Sequence, residues 1–182
     1  MRSSRMETKT YWWKLKGTTL IESLVVLSIL AILLNIALFE YTPLLAKNRL
    51  ENKMQEIRRA LGISRHNAQT NDAFITFCAL KDNHCNKDYW HKSLTVFVDN
   101  NEIGVLDSND TIILELEAVN RLDQLTYPRH AITFRPNGTP MGFNNGTFIY
   151  CPEYKKASLK GLAISLSFTG RTRLKDTDKC QL

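Results

Sequence analysis

A long apolar segment near the N-terminus constrains this chain more than any other feature of its sequence. From Leu20 to Phe39 every residue is apolar or small except Glu22 and Asn35. A helix of this length is about 30 Å long, which is enough to cross a bilayer. An ionised carboxylate inside the hydrocarbon costs about 2.5–3.5 kcal/mol, so Glu22 requires a partner or a specific role. A simple membrane anchor would not contain it.

The residues before this segment predict its orientation. Their charged residues are basic apart from Glu7, and the basic ones are Arg2, Arg5, Lys9, Lys14 and Lys16. By the positive-inside rule the N-terminus is cytoplasmic and the remainder of the chain is exported. A secretory signal peptide would have an Ala-x-Ala cleavage site after the apolar stretch, and none is present there. A glycine, Gly17, precedes the stretch instead.

The sequence Lys16-Gly17-Thr18-Thr-Leu-Ile-Glu22, followed by the apolar helix, resembles the class III signal of type IV prepilins and type II secretion pseudopilins. In that family a membrane enzyme, the prepilin peptidase, cleaves after the glycine and methylates the new N-terminus. The resemblance implies cleavage between Gly17 and Thr18. It also implies that Glu22 is an assembly residue, whose carboxylate meets the free amine of a neighbouring subunit. Thr18 stands where the family usually has Phe, so methylation is left open, as is a start at Met1 or Met6.

The exported part contains four cysteines, Cys78, Cys85, Cys151 and Cys180. An even number in an oxidising compartment favours disulfides, and three pairings are possible. The turn-like residues between Cys78 and Cys85 favour a local loop, which leaves Cys151 with Cys180. The alternative is a zinc site with His84 or His91, although the spacing matches no standard zinc module.

Past Pro43, which we expect to kink the helix, the chain has the three-and-four spacing of an amphipathic helix as far as about Gln69. Its apolar stripe is formed by Leu50, Met54, Ile57, Leu61, Ser64 and Ala68. The other faces are charged and are interpreted as solvated rather than as a binding surface. These charged residues are Lys47, Arg49, Glu51, Lys53, Glu56, Arg58, Arg59 and Arg65.

After Thr70 short β-branched and aromatic runs predict an antiparallel sheet. The runs are Ala73–Leu80, Leu94–Val98, Thr111–Leu116, Ala131–Arg135, Thr147–Tyr150, Leu162–Phe168 and Arg171–Lys175. The dipeptides Asn137-Gly138 and Asn145-Gly146 are typical of hairpin turns. Residues 99–110 faintly resemble a calcium loop, but they lack the alternating acids of an EF-hand, so we interpret them as a polar turn.

The sheet region contains a series of motifs in a fixed order, which are Phe77-Cys78-x(6)-Cys85, Trp90, Ala131-Ile-Thr-Phe-Arg-Pro-Asn-Gly138, Gly146-Thr-Phe-Ile-Tyr-Cys151 and Thr169-Gly-Arg-Thr-Arg-Leu174. With these motifs the region resembles the GspH/FimT domain of minor pilins. It implies an α+β, type IV pilin-like fold in which a long N-terminal helix packs on an antiparallel β-sheet domain. The implied segments are a leader (1–17), a transmembrane and filament-core helix (18–42), an amphipathic helix (43–70) and a β-rich domain (71–182).

A basic cluster near the C-terminus is the candidate binding element. Between Lys155 and Lys175 there is no acidic residue, and the basic residues are Lys155, Lys156, Lys160, Arg171, Arg173 and Lys175. On an extended strand Arg171 and Arg173 point to the same face, where two guanidiniums suit phosphates. The net charge of +6 is weaker support for nucleic acid, because residues 1–17 contribute +4 of it.

The sequence Gly170-Arg171-Thr-Arg173 also resembles the motif by which FimT-type competence pilins bind DNA. It implies that Gly170, Arg171 and Arg173 bind extracellular DNA for uptake in natural transformation, with Lys160 and Lys175 as helpers. Binding through so few phosphates is expected to be weak, sequence-independent and sensitive to salt. The alternatives are a priming or tip minor pilin of the FimU type, with the basic hairpin as a solvated sheet edge, and a type II secretion pseudopilin H.

No catalytic constellation is recognisable in the sequence. His66, His84, His91 and His130 are scattered, and no Ser or Cys lies in a nucleophile motif. We therefore expect a non-enzymatic protein without metal, cofactor or small-molecule substrate. Its expected partners are DNA, other major and minor pilins, the prepilin peptidase and, before assembly, the inner membrane. The C-terminal domain would be periplasmic and then part of a surface pilus.

Overall fold

A computed structural model of the chain describes residues 19–152 and 160–180. The predicted leader, the predicted cleavage site at Gly17 and Thr18, and the basic residues Lys155 and Lys156 lie outside these ranges. The chain divides into two compact units, residues 1–41 and 42–182.

Helix α1 extends from Leu20 to Asn71 and continues through Pro43. The predicted apolar stripe from Leu50 to Ala68 is buried, which confirms the amphipathic part of the helix. The helix stops because Asp72 adopts a left-handed conformation, with φ of 50°, and the amide of Ala73 then donates a hydrogen bond of 3.3 Å to the carbonyl of Ala68. This is the Schellman geometry of a helix C-terminus.

In the first unit the side chains from Leu20 to Ile36 are exposed. Across the described parts of the chain, no helix has the length and apolarity needed to span a membrane. The membrane span predicted for residues 18–42 is not confirmed.

The first of two antiparallel sheets has five strands. They are β1 (Ile75–Lys81), β2 (His84–Cys85), β3 (Leu94–Val98), β4 (Thr111–Leu116) and β6 (Ala131–Phe134). The order is β2-β1-β3-β4, and β6 also pairs with β1. A short 3-10 helix, Lys87–Tyr89, connects β2 to β3.

The second sheet has four strands in the order β5-β7-β8-β9. They are β5 (Gln124–Thr126), β7 (Gly146–Cys151), β8 (Gly161–Leu166) and β9 (Thr172–Thr177). Strand β9 is therefore an edge strand, paired with β8 from Gly161↔Thr177 to Leu166↔Thr172.

All seven predicted strands are present, with ends within two residues of the prediction, and the α+β fold is confirmed. The short strands β2 and β5 were not predicted, and the strands form two sheets, a division that periodicity does not reveal. The Asn137-Gly138 turn is confirmed, since Gly138 has φ of 75° and its amide donates a hydrogen bond of 2.7 Å to the carbonyl of Arg135.

The hairpin turn predicted at Asn145-Gly146 is wrong, because Gly146 begins β7. The turn lies earlier, where the amide of Asn144 bonds to the carbonyl of Met141. Glycine is needed at residue 146 for close packing, since a Cβ there would lie 2.8 Å from Cγ of Pro128 and 2.9 Å from Tyr127.

An aromatic cluster joins the two sheets. Phe77 of β1 and Phe148 of β7 both contact Trp90, with ring centroids 5.7 and 5.1 Å away. Tyr127 stacks on Phe148 at 4.2 Å. Buried residues of α1, including Met54 and Ile57, belong to the same core.

The structure contains two disulfides, Cys78–Cys85 and Cys151–Cys180, which is the pairing that the sequence favoured. The first closes the β1–β2 hairpin, and the second ties the end of β7 to the residues after β9.

Candidate nucleic-acid interface

Strand β9 presents the predicted arginines on one face. Arg171, Arg173 and Lys175 are exposed, whereas Thr172 and Leu174 between them are half-buried. This alternation is the period-2 pattern of a strand with one face on the core. Arg171 immediately precedes β9, and its carbonyl accepts a hydrogen bond of 2.9 Å from the amide of Ser167, which extends the β8–β9 pairing by one step.

The turn between β8 and β9 requires the glycine that the sequence singled out. Gly170 has φ of 74°, a conformation that residues with a Cβ rarely adopt. Its amide donates to the carbonyl of Ser167 across 3.0 Å. A Cβ here would lie 2.8 Å from the carbonyl oxygen of Gly138, so the turn also packs closely against the preceding Asn137-Gly138 turn.

A third arginine reaches the same place from the helix. Nη1 of Arg65, on α1, donates a hydrogen bond of 3.2 Å to the carbonyl oxygen of Gly170. A groove of about 440 Å³ is lined on the helix side by Leu61, Gly62 and Arg65 and on the strand side by residues 170–173. We call this feature the arginine groove.

Sequence reasoning missed Arg65, because the helix charges were interpreted as a solvated face. One signal could have indicated it. Arg58, Gly62 and Arg65 have i, i+4 and i+7 spacing, which places a glycine between two arginines on one face of a helix. A glycine is unusual in the interior of an exposed helix face.

The charged side chains that line the arginine groove are all positive. Its lining contains three arginines and no carboxylate. The ion pairs among residues 19–152 and 160–180 involve Lys47, Arg49, Lys53 and Lys160, and none of them includes Arg65, Arg171 or Arg173. The three guanidiniums can therefore bind an external anion without first breaking an ion pair to a described residue.

The two predicted helper lysines differ in position. Lys175 lies two residues beyond Arg173 on the same face, about 7 Å along the strand. Lys160 precedes Gly161, which pairs with Thr177, so it lies at the opposite end of the hairpin, about 20 Å from Arg171. Its Nζ forms an ion pair of 3.6 Å with Oδ1 of Asp178. The structure thus brings Lys175, but not Lys160, near the arginines.

Residues 99–110 form a polar loop, as predicted, with one buried carboxylate. Asp99 is 2% exposed, and its Oδ2 accepts hydrogen bonds from the hydroxyl of Thr76 at 2.6 Å and the amide of Gly104 at 2.8 Å. Burial raises the pKa of Asp99, and the charges of Asp110 and Asp107 raise it further. Among the described residues no group of His, Cys, Asp or Glu is arranged to hold a metal ion.

The remaining candidate residues are dispersed. Glu22 lies in the first turn of α1 and its side chain is exposed. His66, His84, His91 and His130 are exposed and lie on different elements. They do not form a common site.

Two solved structures resemble this chain in fold. The type IV minor pilin FimU of Pseudomonas aeruginosa is 24% identical, with a TM-score of 0.55, and the match covers 74% of this chain and 96% of that one. The minor pseudopilin EpsH of the Vibrio cholerae type 2 secretion system is 14% identical, with a TM-score of 0.51, and the match covers 70% of this chain and 97% of that one. No curated protein matches the sequence.

The family comparison covers more than half of the chain. Residues 53–170 match the family described as "Type II transport protein GspH". The match includes the C-terminal part of α1, from residue 53, and eight of the nine described strands. It ends immediately before Arg171. The chain therefore belongs to the GspH family.

Proposed function

We propose that this protein is a minor type IV pilin that binds extracellular DNA weakly and without sequence preference, for uptake in natural transformation. The observation that carries the proposal is the exposure of Arg171 and Arg173 on one face of an edge strand, beside a groove without a carboxylate. Arginine binds phosphate oxygens in a bidentate manner. Contacts of this kind hold the DNA backbone without reading its sequence.

The number of arginines sets the expected salt dependence. The logarithm of the binding constant falls with the logarithm of salt concentration, with a slope of about −0.9 per phosphate contact. With roughly two or three contacts, affinity should fall about 10- to 50-fold between 50 and 200 mM salt. A filament that displays several such subunits would compensate for the weakness of each site.

The N-terminal segment supports the pilin assignment. Its large apolar side chains are exposed, from Leu20 at 80% to Ile36 at 60%, and apolar surface of this extent requires a covering partner. We propose that this partner is first the inner membrane and then the helices of other pilins. Glu22 would act as the assembly contact after the prepilin peptidase cleaves between Gly17 and Thr18.

A DNA gel shift with the purified full-length chain tests the function. The double variant Arg171→Gln, Arg173→Gln should lose retention at 50 mM salt. The matched control is Arg59→Gln, Arg121→Gln, which removes two exposed arginines outside the groove and should bind like the parent. Equal retention by the parent and both variants would refute DNA binding through β9.

The second candidate is a structural minor pilin of the FimU type, which the shared fold favours. A chromosomal deletion separates the possibilities. Loss of surface pili indicates a priming or tip subunit, and a secretion defect indicates a pseudopilin H role, for which the fold of EpsH is the support. A DNA receptor predicts loss of transformation with pili retained.

A further inference from the structure

We infer that the DNA backbone enters the arginine groove, with Arg65 as a third phosphate contact and Gly62 as the residue that keeps the groove open. This inference rests on the proposed function. It adds residues of helix α1 to a site that the sequence predicted only from Gly170, Arg171, Arg173, Lys160 and Lys175.

Gly62 lies in the interior of helix α1. Glycine lowers helix stability relative to alanine, so a glycine inside a helix calls for a steric or conformational reason. None is present within the described structure, because Gly62 is helical and a Cβ added to it would meet no atom within 4 Å. The space that a side chain would fill is the floor of the groove. An external ligand close to the backbone gives the missing reason.

The guanidinium of Arg65 is held in place, because its Nη1 donates a hydrogen bond to the carbonyl oxygen of Gly170, the residue adjacent to Arg171. A guanidinium has five N–H donors, and this contact uses one of them. The remaining donors lie where the helix wall meets the strand wall. A phosphate between the two walls could accept hydrogen bonds from both, since it has two non-bridging oxygens.

The composition of the groove selects its occupant. Leu61, the one large apolar residue in the lining, is already buried at 1% exposure. A helix of another pilin could therefore bury little apolar surface here. Three arginines and the hydroxyl of Thr172 suit a polyanion. The groove volume of about 440 Å³ is in the range of ligand clefts.

The experiment compares Gly62→Glu with Gly62→Gln in the full-length chain, using anisotropy of a labelled duplex oligonucleotide. The two side chains have the same size and differ in charge, and neither substitution replaces Arg65 or Gly170. We expect Gly62→Glu to bind at least 5-fold more weakly than Gly62→Gln. Arg65→Gln should also reduce the magnitude of the salt slope by about one, whereas the control Arg59→Gln should leave it unchanged.

The outcomes separate this inference from the proposed function. If Arg171→Gln, Arg173→Gln abolishes binding while the two Gly62 variants bind equally, DNA binds at β9 and the groove is not used. If Arg65 is merely structural, Arg65→Gln lowers the melting temperature without changing the salt slope, and Arg65→Lys, which keeps the charge, does not restore the melting temperature. If poly-glutamate of equal charge competes as well as DNA, the groove is a site for acidic protein segments and the nucleic-acid assignment is overturned.

Discussion

The hydroxyl of Tyr150 donates a hydrogen bond of 2.7 Å to Oδ2 of Asp123. The same oxygen lies 3.4 Å from Nε of Arg49 on α1, so one buried carboxylate links β7 to the helix. Burial raises the pKa of Tyr150, and the hydrogen bond to Asp123 adds to this effect. Tyr150 therefore remains a neutral donor across the physiological range.

Replacing Tyr150 with Phe should destabilise the protein. The substitution removes a buried hydrogen bond to a charged acceptor, and such bonds contribute about 1.5–3 kcal/mol. Urea denaturation measures the loss. Tyr89→Phe is the control, because the Tyr89 hydroxyl has no hydrogen bond to any residue that the structure describes, and it should change stability little. Equal effects of the two substitutions would contradict the role of the Tyr150–Asp123 bond.

The buried Asp99 should give stability a distinctive pH dependence. Its pKa is raised from 3.8 by burial, so the folded state binds the Asp99 proton more tightly than the unfolded state does. Its contribution is fully present below pH 3.8 and is lost as pH rises through the raised value. Asp99→Asn does not titrate. The difference in unfolding free energy, parent minus variant, should therefore fall as the pH rises from 3.8 through the raised pKa of Asp99.

Asp107 provides a comparison of opposite sign. Hydrogen bonds from the side chain of Asn101 and the amide of Asn109 lower its pKa. Its contribution should be present above pH 3.8 and disappear as the pH falls through the lowered value. If the parent-minus-variant difference for Asp107→Asn changes with pH in the same direction as that for Asp99→Asn, the assignment of the two shifts is wrong.

The two disulfides should contribute unequally to stability. The sequence separation is 29 for Cys151–Cys180 and 7 for Cys78–Cys85. Closing the longer loop removes more entropy from the unfolded chain, by about 1 kcal/mol in the chain-entropy model. Denaturation of the two Cys→Ala double variants measures the difference. A larger loss for Cys78–Cys85 would show that packing around the buried Cys78 outweighs loop length.

The two predicted helper lysines, Lys175 and Lys160, should differ in their contribution to DNA binding. Lys175→Gln should weaken DNA binding and reduce the magnitude of the salt slope by up to one, because Lys175 continues the row of Arg171 and Arg173. Lys160→Gln should have little effect, since Lys160 is distant and paired with Asp178. Binding isotherms over a range of salt concentrations provide both values. Equal losses would contradict the placement derived from the hairpin register.

Local patterns were sufficient for most of the fold. Period-2 alternation located β9 and the shared face of Arg171 and Arg173, and the three-and-four spacing located the buried stripe of α1. These features depend on residues within a few positions of one another. The hairpin turn predicted at Asn145-Gly146 was wrong because the role of Gly146 is determined by residues that are distant in the sequence. The role of that glycine depends on Pro128 and Tyr127, which become its neighbours only after folding.

The helix half of the candidate site was beyond local reasoning. Arg65 and Gly170 are 105 positions apart, and no periodicity connects them. The division of the strands into two sheets is likewise a matter of long-range pairing. What the sequence did contain was an unexplained glycine at residue 62, and its meaning requires knowledge of what faces it.

Strand β9 is fastened at both of its ends. The Cys151–Cys180 disulfide lies just beyond Thr177, and the contacts of Gly170 with Arg65 and Gly138 hold the start. The backbone that carries the arginines is thus preorganised, and binding would order only their side chains. A ligand meeting this surface should associate without a slow conformational step, so that capture is limited by encounter and by ionic strength.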